Sequence, residues 1–392
     1  MPMRHIVLAL LGLCFPCLLI ARGQEGPRNI DPWDYWNSDV AKLWGANIYQ
    51  EIDPRDGRKW QPLLRRHDFQ DLQLAGANYV NLSVPGPFEP ESGNLNVDNW
   101  NNLKDRIQWA KDAGLKIVIS FRTAPGRNEA DITKPFTSDV KRDLLDDPKS
   151  ANVAKFCDMW KMVAKQYAKD DAVVGFDLLV EPHAPKAWEE NQYHDYKFRK
   201  SNNWRRVAGQ AIEAIRSENT RTPILVEPDL WAAALYLNGV DDADPEGGQL
   251  AWKMPDGDHL VCAVHQFNPS NYTEQGTENF DVEFVELRHA FGEISSWRMN
   301  SKAPVCVNEF GLKQALPHAE LFLKKELRLL KEQKLNHAVW LWEVTDPRQD
   351  YRDFDVRSNL KLLRELMANW QKNTENLNDR RVPAAKKAKR WN

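Results

Sequence analysis

Residues 173–182 read VVGFDLLVEP, a short apolar run that ends in a glutamate followed by a proline. Such a run is typical of a parallel strand that is buried on both faces. Seven further runs along the chain are similarly short and rich in Val, Ile and Leu. The eight candidate strands are Trp44–Tyr49, Asn78–Val84, Lys116–Phe121, Ala172–Leu179, Pro223–Val226, Leu260–Val264, Ala303–Val307 and His337–Leu341.

Segments with helical spacing of apolar residues separate these strands. They are Asp68–Ala75, Val97–Ala113, Ala151–Ala168, Asn203–Arg216, Asp229–Leu237, Val282–Met299, Leu316–Gln333 and Asn359–Gln371. Asp229 and Ser358 are the expected N-caps of two of them. The alternation predicts an α/β protein, a (β/α)₈ TIM barrel that forms a single catalytic domain. A doubly wound open sheet is the alternative, but no glycine-rich phosphate loop follows the first strand.

Both ends of the chain differ from this pattern. Arg4 and His5 precede the apolar run Ile6–Ile20, and a small-x-small motif ends at Gly23, so residues 1–23 are predicted to be a signal peptide. Secretion or export to the periplasm follows from it, with an uncleaved anchor as the alternative. Residues 24–375 would form the barrel domain. The basic residues 376–392 are interpreted as a solvated, disordered tail, with a basic binding arm as the alternative.

Composition excludes some classes of partner. The formal net charge is −3, which gives no electrostatic reason to expect binding to nucleic acid or to an anionic membrane. The 16 Trp residues suit sugar binding, because an indole offers a flat apolar face for a pyranose ring. The mature chain would keep Cys157, Cys262 and Cys306, which lack the spacing of a disulfide framework, so free thiols are expected.

Two strands end in a glutamate at the position where a barrel enzyme carries its chemistry. Glu181 ends the fourth strand and Glu309 ends the seventh, within residues 304–311, PVCVNEFG. A buried carboxylate is costly unless it is paired or lies in a cleft. Glycoside hydrolysis needs two such groups, one that holds a proton for the leaving oxygen and one that is ionised. Glu181 is therefore the candidate general acid/base and Glu309 the candidate nucleophile.

The order of several motifs resembles glycoside hydrolase family 5 over roughly residues 44–347. The motifs are Gly76-Ala77-Asn78-Tyr79-Val80, Ala124-Pro125-Gly126, Val180-Glu181-Pro182, His265-Gln266-Phe267, Asn308-Glu309-Phe310-Gly311 and Trp340-Leu341-Trp342. The resemblance implies a retaining barrel hydrolase with catalytic glutamates on strands four and seven. It also implies that Trp342 is a sugar platform and that His265 contacts substrate or the acid/base.

Four positions depart from the pattern of that family. Asn81 stands where an Arg usually orients the nucleophile, and Arg122 stands where a His is common. Val180 replaces an Asn that binds the sugar 2-hydroxyl, and Phe267 replaces a Tyr that contacts the nucleophile. Arg122 would partly supply the positive charge that Asn81 lacks. These departures suggest an unusual substrate or an altered activity.

Other residues at predicted strand ends are candidates for substrate binding. Glu227 repeats the strand-then-Glu-Pro pattern in residues 223–228, PILVEP, and is a rival to Glu181 as acid/base or a partner of Arg122. His183 follows Glu181-Pro182. The predicted substrate-binding set is Asn81, Arg122, His183, Glu227, His265, Phe267 and Trp342. No metal or cofactor is predicted, because the histidines lack ligand spacing on one element.

The resulting prediction is a retaining hydrolase of β-linked glucan or mannan chains or oligosaccharides. A carbohydrate-binding pseudoenzyme of the same fold is the alternative, motivated by the four departures. A metal-dependent barrel hydrolase is a third hypothesis. The sequence does not discriminate between sugars, linkages or endo and exo action, and predicts no oligomeric state.

Overall fold

In a computed structural model of the chain, eight strands close into a barrel in the order of the sequence. They are β1 Trp44–Tyr49, β2 Tyr79–Val84, β3 Lys116–Phe121, β4 Val173–Asp177, β5 Ile224–Val226, β6 Leu260–Gln266, β7 Val305–Phe310 and β8 Asn336–Val344. Neighbouring strands are parallel, and β1 pairs with β8 to complete the circle. The predicted (β/α)₈ TIM barrel is confirmed.

The structure describes residues 30–38, 42–49, 64–128, 143–146, 149–182, 204–239, 251–276, 280, 283–344 and 353–380. Within these residues the α-helices are α1 Asp34–Asn37, α2 Arg66–Leu74, α3 Val97–Asp112, α4 Asp143–Asp146, α5 Ala151–Gln166, α6 Trp204–Arg216, α7 Val285–Ser301, α8 Ala319–Glu332 and α9 Leu360–Arg380. Short 3₁₀ turns cover Ala234–Tyr236 and Val356–Ser358, and a π-helical turn covers Asn271–Gln275. No helix of this part of the chain is long and apolar enough to cross a membrane.

The core lies between the barrel and the helices that surround it. The buried residues of α6 recur at helical spacing, and they form one face of the helix. They are Trp204, Val207, Ala208, Ala211, Ile212 and Ile215. The outward side chains of the strands complete this layer, Ile117 and Ile119 of β3 among them. Two helices begin with a polar N-cap. The side chain of Asn96 accepts a hydrogen bond from the backbone N–H of Asn99 at the start of α3, and the side chain of Ser150 accepts one from the backbone N–H of Asn152 at the start of α5.

Two predictions of local structure are wrong. The segment Asp229–Leu237 is not an α-helix, because Leu230, Trp231 and Ala232 have φ angles of 59°, 56° and 55°, in the left-handed region that a right-handed helix excludes. The cap of α9 is Asn359 rather than Ser358, since the side-chain oxygen of Asn359 accepts from the backbone N–H groups of Lys361 and Leu362.

The predicted ends of the chain are only partly covered. The signal peptide, residues 1–23, lies outside the described residues. Helix α9 continues to Arg380, beyond the predicted start of the tail at residue 376, and residues 381–392 also lie outside the description. Cys157, Cys262 and Cys306 are free thiols, as expected.

Candidate active site

A cavity of about 420 Å³ opens at the carboxyl ends of the strands. Its lining consists of Arg122, Glu181, Trp231, Ala233, Tyr236, His265, Phe267, Asn268, Ser270, Glu274, Glu309, Trp340 and Phe354. In a TIM barrel this end carries the active site, because the loops that follow the strands surround it. The cavity combines charged groups at its floor with aromatic rings on its walls.

Glu181 and Glu309 face each other in this cavity. One carboxylate oxygen of each lies within 4.8 Å of the other and of a ring nitrogen of His265. The side chain of Glu181 is 18% exposed and that of Glu309 is 5% exposed. Retaining glycosidases hold their two carboxyl groups about 5–5.5 Å apart, so this spacing suits direct attack by one of them on a bound sugar.

The backbone around Glu181 turns sharply at the end of β4. Glu181 has a φ of 50°, in the region that a residue with a side chain seldom adopts. Buried Arg127 holds this turn, since its guanidinium donates to the carbonyl oxygens of Val180 at 2.6 Å and Glu181 at 3.0 Å. The turn aims the carboxyl group into the cavity.

A bulge in β7 places two consecutive polar side chains at the mouth of the barrel. The pairing of β6 and β7 passes from Val264↔Val307 to His265↔Glu309, which leaves Asn308 as an extra residue. A bulge of this kind re-aims side chains that strict alternation would send to opposite faces. As a result Glu309 lines the cavity while Asn308 reaches polar groups beneath it.

His265 contacts the two glutamates that line the cavity and the glutamate that lies beneath it. Its Nδ1 lies 2.9 Å from Oε1 of Glu181 and 3.5 Å from Oε2 of Glu309, and its Nε2 lies 3.1 Å from Oε1 of Glu227. Burial alone would lower the pKa of His265. The charges of Glu227 and Glu309, with the hydrogen bonds to Glu181 and Glu227, outweigh burial and raise the pKa well above its ordinary value. The surroundings therefore favour the protonated imidazole, in which both ring nitrogens are donors.

Glu309 is a buried carboxyl group next to two cations. Burial raises its pKa to about 8, although His265 and Arg122 oppose the rise. Nη1 of Arg122 lies 3.6 Å from Oε1 of Glu309, an oxygen that has no hydrogen-bond partner among the described residues. That oxygen is itself buried and faces the guanidinium of Arg122. Arg122 itself lies under the rings of Tyr49 and Trp340, 4.7 and 5.2 Å from their centroids.

Glu227 lies beneath the cavity rather than at its surface, and it is fully buried. Its Oε2 accepts from the backbone N–H of Glu181 at 2.6 Å, and its Oε1 accepts from Nδ2 of Asn308 at 2.9 Å. Its backbone carbonyl accepts from the indole N–H of Trp204 at the start of α6. The structure thus places Glu227 against His265 and Glu181, not against a substrate or Arg122.

Asn81 also lies under the site. It is fully buried, and its Nδ2 donates to Oδ1 of Asn47 at 2.8 Å, while Nδ2 of Asn47 donates to the carbonyl of Asn308 at 2.8 Å. This asparagine ladder supports the residue before Glu309. Asn81 was predicted to bind substrate, but it is not among the residues that line the cavity, and its amide instead contacts β1 and β7.

Trp340 lines the cavity, whereas Trp342, the predicted sugar platform, does not. Trp342 is buried in the outer core, where its indole N–H donates to the carbonyl of Asp68 and its ring contacts Trp370. The pairing of β8 with β1 jumps from Ala46↔Val339 to Ile48↔Glu343. Counting alternate residues fails across this irregularity, so Trp340 faces the cavity and Trp342 does not.

Further residues complete the comparison with the predicted set. Phe267 lines the cavity, with its ring edge-on to that of Phe354. His183 lies outside the described residues. Glu274 was missed by the sequence reasoning; burial raises its pKa to about 7, helped by the charge of Glu181 and opposed by His265 and Lys313. Its only sequence signal is its place after the sixth strand.

Two buried carboxyl groups lie below the cavity, Glu227 and Asp177, and the second was missed by the sequence reasoning. Asp177, at the end of β4, accepts hydrogen bonds from Ser120 and Asn308 at 2.8 Å each. Burial raises its pKa well above the ordinary value, and the charge and hydrogen bonding of Glu227 raise it further. A carboxyl within the apolar run of residues 173–179 was the signal that could have identified it.

Glu181, His265 and Glu309 lie close enough together to hold a metal ion. A metal at Nδ1 of His265 would have to displace the proton that the surrounding carboxylates favour. The bond from Nε2 to Glu227 directs Nδ1 toward Glu181 and Glu309.

Comparisons with known proteins agree with this geometry. The family model described as cellulase (glycosyl hydrolase family 5) matches residues 62–346. The probable glucan 1,3-beta-glucosidase A of Aspergillus clavatus is 26% identical over 224 residues, which are 55% of this chain and 47% of that protein. Endoglucanase C of Acetivibrio thermocellus is 24% identical over 211 residues, 53% of this chain and 51% of that protein. The chain therefore spans about half the length of these relatives.

The fold is similar to that of a solved enzyme. The crystal structure of endoglucanase Cel5A from Thermotoga maritima aligns with a TM-score of 0.60 and 18% identity, covering 86% of this chain and 100% of that chain. A structure of the same enzyme in complex with mannotriose aligns with a TM-score of 0.58 and 17% identity, with the same coverage. At this level of identity the likeness concerns the barrel itself.

Proposed function

Since this chain belongs to glycosyl hydrolase family 5, the cellulase family, we propose that it is a retaining β-glycosidase. The observation that carries the proposal is the approach of Glu181 and Glu309 to within 4.8 Å across the cavity. Such a separation leaves no room for the water that an inverting mechanism places between its carboxyl groups. The pair suits a double displacement.

In the first step, the carboxylate of Glu309 attacks the anomeric carbon and the bond to the leaving oxygen breaks. Glu181 transfers its proton to that oxygen, which departs as an alcohol. In the second step Glu181 takes a proton from water, the water oxygen bonds to the anomeric carbon, and the bond to Glu309 breaks. Arg122 and His265 stabilise the carboxylate of Glu309 when it is free, at 3.6 and 3.5 Å.

The substrate we propose is a β-linked glucan or mannan chain or a shorter oligosaccharide. Aromatic rings of Trp231, Tyr236, Phe267, Trp340 and Phe354 line the walls of the cavity. Flat apolar surfaces of this kind bind sugar rings by stacking, with charged groups reserved for the reacting centre. The names of the related proteins, a glucan 1,3-beta-glucosidase and an endoglucanase, agree with this class.

Secretion or export is part of the same proposal, since a polysaccharide substrate lies outside the cell. It depends on cleavage of residues 1–23 near Gly23. Amino-terminal sequencing of protein recovered from the growth medium or periplasm tests it. A mature protein that begins at Met1 would contradict it.

A specific observation favours a carbohydrate-binding pseudoenzyme as the second candidate. Burial raises the pKa of Glu309 to about 8, so much of the nucleophile carries a proton at neutral pH. Val180 also lacks the amide that the family places beside the acid/base. A protein with this site could bind a glycan without cleaving it.

The test is covalent labelling with 2,4-dinitrophenyl 2-deoxy-2-fluoro-β-glycosides of glucose, mannose and cellobiose. We expect a mass increase of one glycosyl group on the peptide that contains Glu309, and loss of hydrolysis in Glu309→Ala. Glu326→Gln is the matched control, because it removes a buried carboxyl from α8, away from the cavity.

Other outcomes separate the candidates. Glycan binding without any hydrolysis that depends on Glu309 would establish the pseudoenzyme. Hydrolysis that is abolished by EDTA and restored by a divalent metal would instead establish a metal-dependent hydrolase. Hydrolysis that survives both EDTA and Glu309→Ala would overturn the role of Glu309.

A further inference from the structure

Glu227 lies beneath the cavity and contacts the elements that carry both catalytic glutamates. Its carboxylate accepts from the backbone N–H of Glu181, from Nδ2 of Asn308 and from Nε2 of His265, at 2.6, 2.9 and 3.1 Å. These three partners follow or lie on β4, β7 and β6. A buried carboxylate with three donors is a rigid group that orients its neighbours.

We propose that Glu227, backed by Asp177, is a positioning residue that holds Glu181 and keeps a proton on the pair formed by Glu181 and His265. The inference rests on the proposed function, in which Glu181 is the acid/base. Glu227 does not line the cavity, so it acts through His265 and the backbone rather than on the substrate. It supplies from β5 the support that Val180 cannot supply from the residue before Glu181.

The neighbouring carboxyl group of Asp177 bears on why the charge next to His265 is assigned to Glu227 alone. Asn308 donates to Asp177 at 2.8 Å and to Glu227 at 2.9 Å, so its amide bridges the two carboxyl groups. Asp177 is fully buried beside Glu227, and burial together with the charge of Glu227 raises the pKa of Asp177 well above its ordinary value, which favours the neutral acid. Oε1 of Glu227 faces Nε2 of His265 at 3.1 Å.

His265 lies among several charged groups, and each affects its proton. Glu181 follows β4, Glu227 follows β5 and Glu309 lies on β7, and all three contact the ring. Two more distant groups, Asp177 and Glu274, interact with it electrostatically. Arg122 opposes them from the far side of Glu309. Of these groups Glu227 is the one bonded to Nε2. Its removal therefore changes how readily His265 loses its proton, without altering a group that touches substrate.

The direction of the pH effect follows from this arrangement. A negative charge next to an imidazole favours the protonated form. Removal of the charge of Glu227 therefore makes the Glu181–His265 pair lose its proton at a lower pH. In Glu227→Gln the alkaline limb of kcat/KM should move down by about 1–3 pH units, the usual effect of one adjacent charge.

The defect should also depend on the leaving group. A phenyl β-glycoside needs its leaving oxygen protonated, whereas a 2,4-dinitrophenyl β-glycoside does not. In Glu227→Gln we expect kcat/KM for the phenyl substrate to fall about 100-fold, the scale of lost general acid catalysis, with a much smaller fall for the dinitrophenyl substrate. A purely structural role would lower both rates equally.

Two matched variants control the charge. Glu227→Asp keeps the negative charge and should keep the alkaline limb near its original pH, even if the rate falls. Asp177→Asn exchanges one neutral group for another and should leave the limb in place. If Asp177→Asn moves the limb as far as Glu227→Gln does, the charge is not carried by Glu227 and the inference is overturned.

A measurement on the unmodified protein covers the case in which the variants do not fold. In ¹⁵N-histidine NMR at pH 8, ordinary histidines are neutral because their pKa is about 6.5. We expect a doubly protonated imidazole that is absent from the spectrum of His265→Gln. Its absence from the unmodified protein would overturn the inference.

The two proposals fail in different ways. If Glu309 is labelled and needed for hydrolysis, but Glu227→Gln keeps the original pH limb and leaving-group dependence, only the positioning role of Glu227 is wrong. If Glu309 is neither labelled nor needed, the proposed function fails, and the NMR signal of His265 in the unmodified protein and in Glu227→Gln still decides whether Glu227 holds a proton on His265.

Discussion

Removal of the guanidinium of Arg122 should change the ionisation of Glu309, the proposed nucleophile. Arg122 lies 3.6 Å from Oε1 of Glu309, and both side chains are almost fully buried. Arg122→Met replaces the cation by an unbranched apolar side chain that can still pack against Tyr49 and Trp340. The carboxylate of Glu309 then keeps His265 as its remaining cation, at 3.5 Å.

The size of the change follows from Coulomb's law. Two unit charges at 3.6 Å attract by about 5 kcal/mol at an effective dielectric constant of about 20. At about 1.36 kcal/mol for each pKa unit, this loss would raise the pKa of Glu309 by about 3. Water that enters the vacated space will screen part of the effect, so we expect the pKa to rise by about 1–3.

The direction of the change in the pKa of Glu309 and its starting value determine how the rate should depend on pH. The pKa of Glu309 is raised to about 8, and the nucleophile must be ionised to react, so kcat/KM should rise with pH up to that region. In Arg122→Met the rising limb should move to higher pH. At pH 7 the rate should fall about tenfold each time the pKa of Glu309 rises by about 1.

The assay is the pH dependence of inactivation by a 2,4-dinitrophenyl 2-deoxy-2-fluoro glycoside, which reports attack by Glu309 without a need for the acid. Ser83→Ala is the control, because it removes the hydroxyl that accepts from Nη1 of Arg122 at 3.3 Å and leaves the charge in place. Circular dichroism checks that each variant folds. A limb that stays in place in Arg122→Met, or that moves equally in Ser83→Ala, would refute the reasoning.

Two further predictions separate packing from binding, and a third concerns stability. Trp342→Ala should lower the free energy of unfolding by about 3–5 kcal/mol in a urea titration, because it empties a buried site, while oligosaccharide affinity measured by calorimetry stays the same. Trp340→Ala should also destabilise, since Trp340 is 4% exposed, but unlike Trp342→Ala it should weaken binding by up to about tenfold, through loss of stacking. Glu326 is fully buried, both its oxygens lack a hydrogen-bond partner among the described residues, and burial raises its pKa well above the ordinary value. Since a raised carboxyl pKa makes stability fall as pH rises, Glu326→Leu should raise Tm more at pH 8 than at pH 5, and an equal gain at both would contradict this account.

The sequence alone predicts the barrel and most of its elements. The bounds of β1 and β3 agree with the predicted segments residue for residue, because those strands alternate with helices that carry clear caps and apolar stripes. The failures lie where the backbone is irregular. Residues 230–232 have positive φ angles, and they interrupt a segment whose apolar residues have helical spacing. The sequence does not predict this turn, because tertiary contacts rather than local preference determine its conformation.

Prediction of the site has a different limit. Position at a strand end identifies Glu181, His265, Glu309 and Arg122, which all line the cavity. The sequence does not show how deep an inward-facing side chain lies in the barrel, so Glu227 was predicted to touch substrate although it lies beneath the cavity.

The departures at Asn81 and Arg122 are best understood as one coupled change. The positive charge that the family places on the second strand lies on the third strand here, 3.6 Å from the nucleophile. Asn81 meanwhile bonds to Asn47, which bonds to the carbonyl of Asn308. An arginine at position 81 would break this ladder and bury a second cation near Arg122, a costly arrangement.

The same reasoning applies to Val180. Its side chain is fully buried and apolar, so it offers no hydrogen bond at the position where an amide would contact the sugar. Glu227 bonds to the next backbone N–H and to the ring that contacts Glu181. In the proposed mechanism, support for the acid/base Glu181 thus comes from the neighbouring strand rather than from the strand that carries it. An acid/base supported in this way depends on a buried charge rather than on a contact with the sugar. Its efficiency should therefore vary with pH more than with the 2-substituent of the substrate.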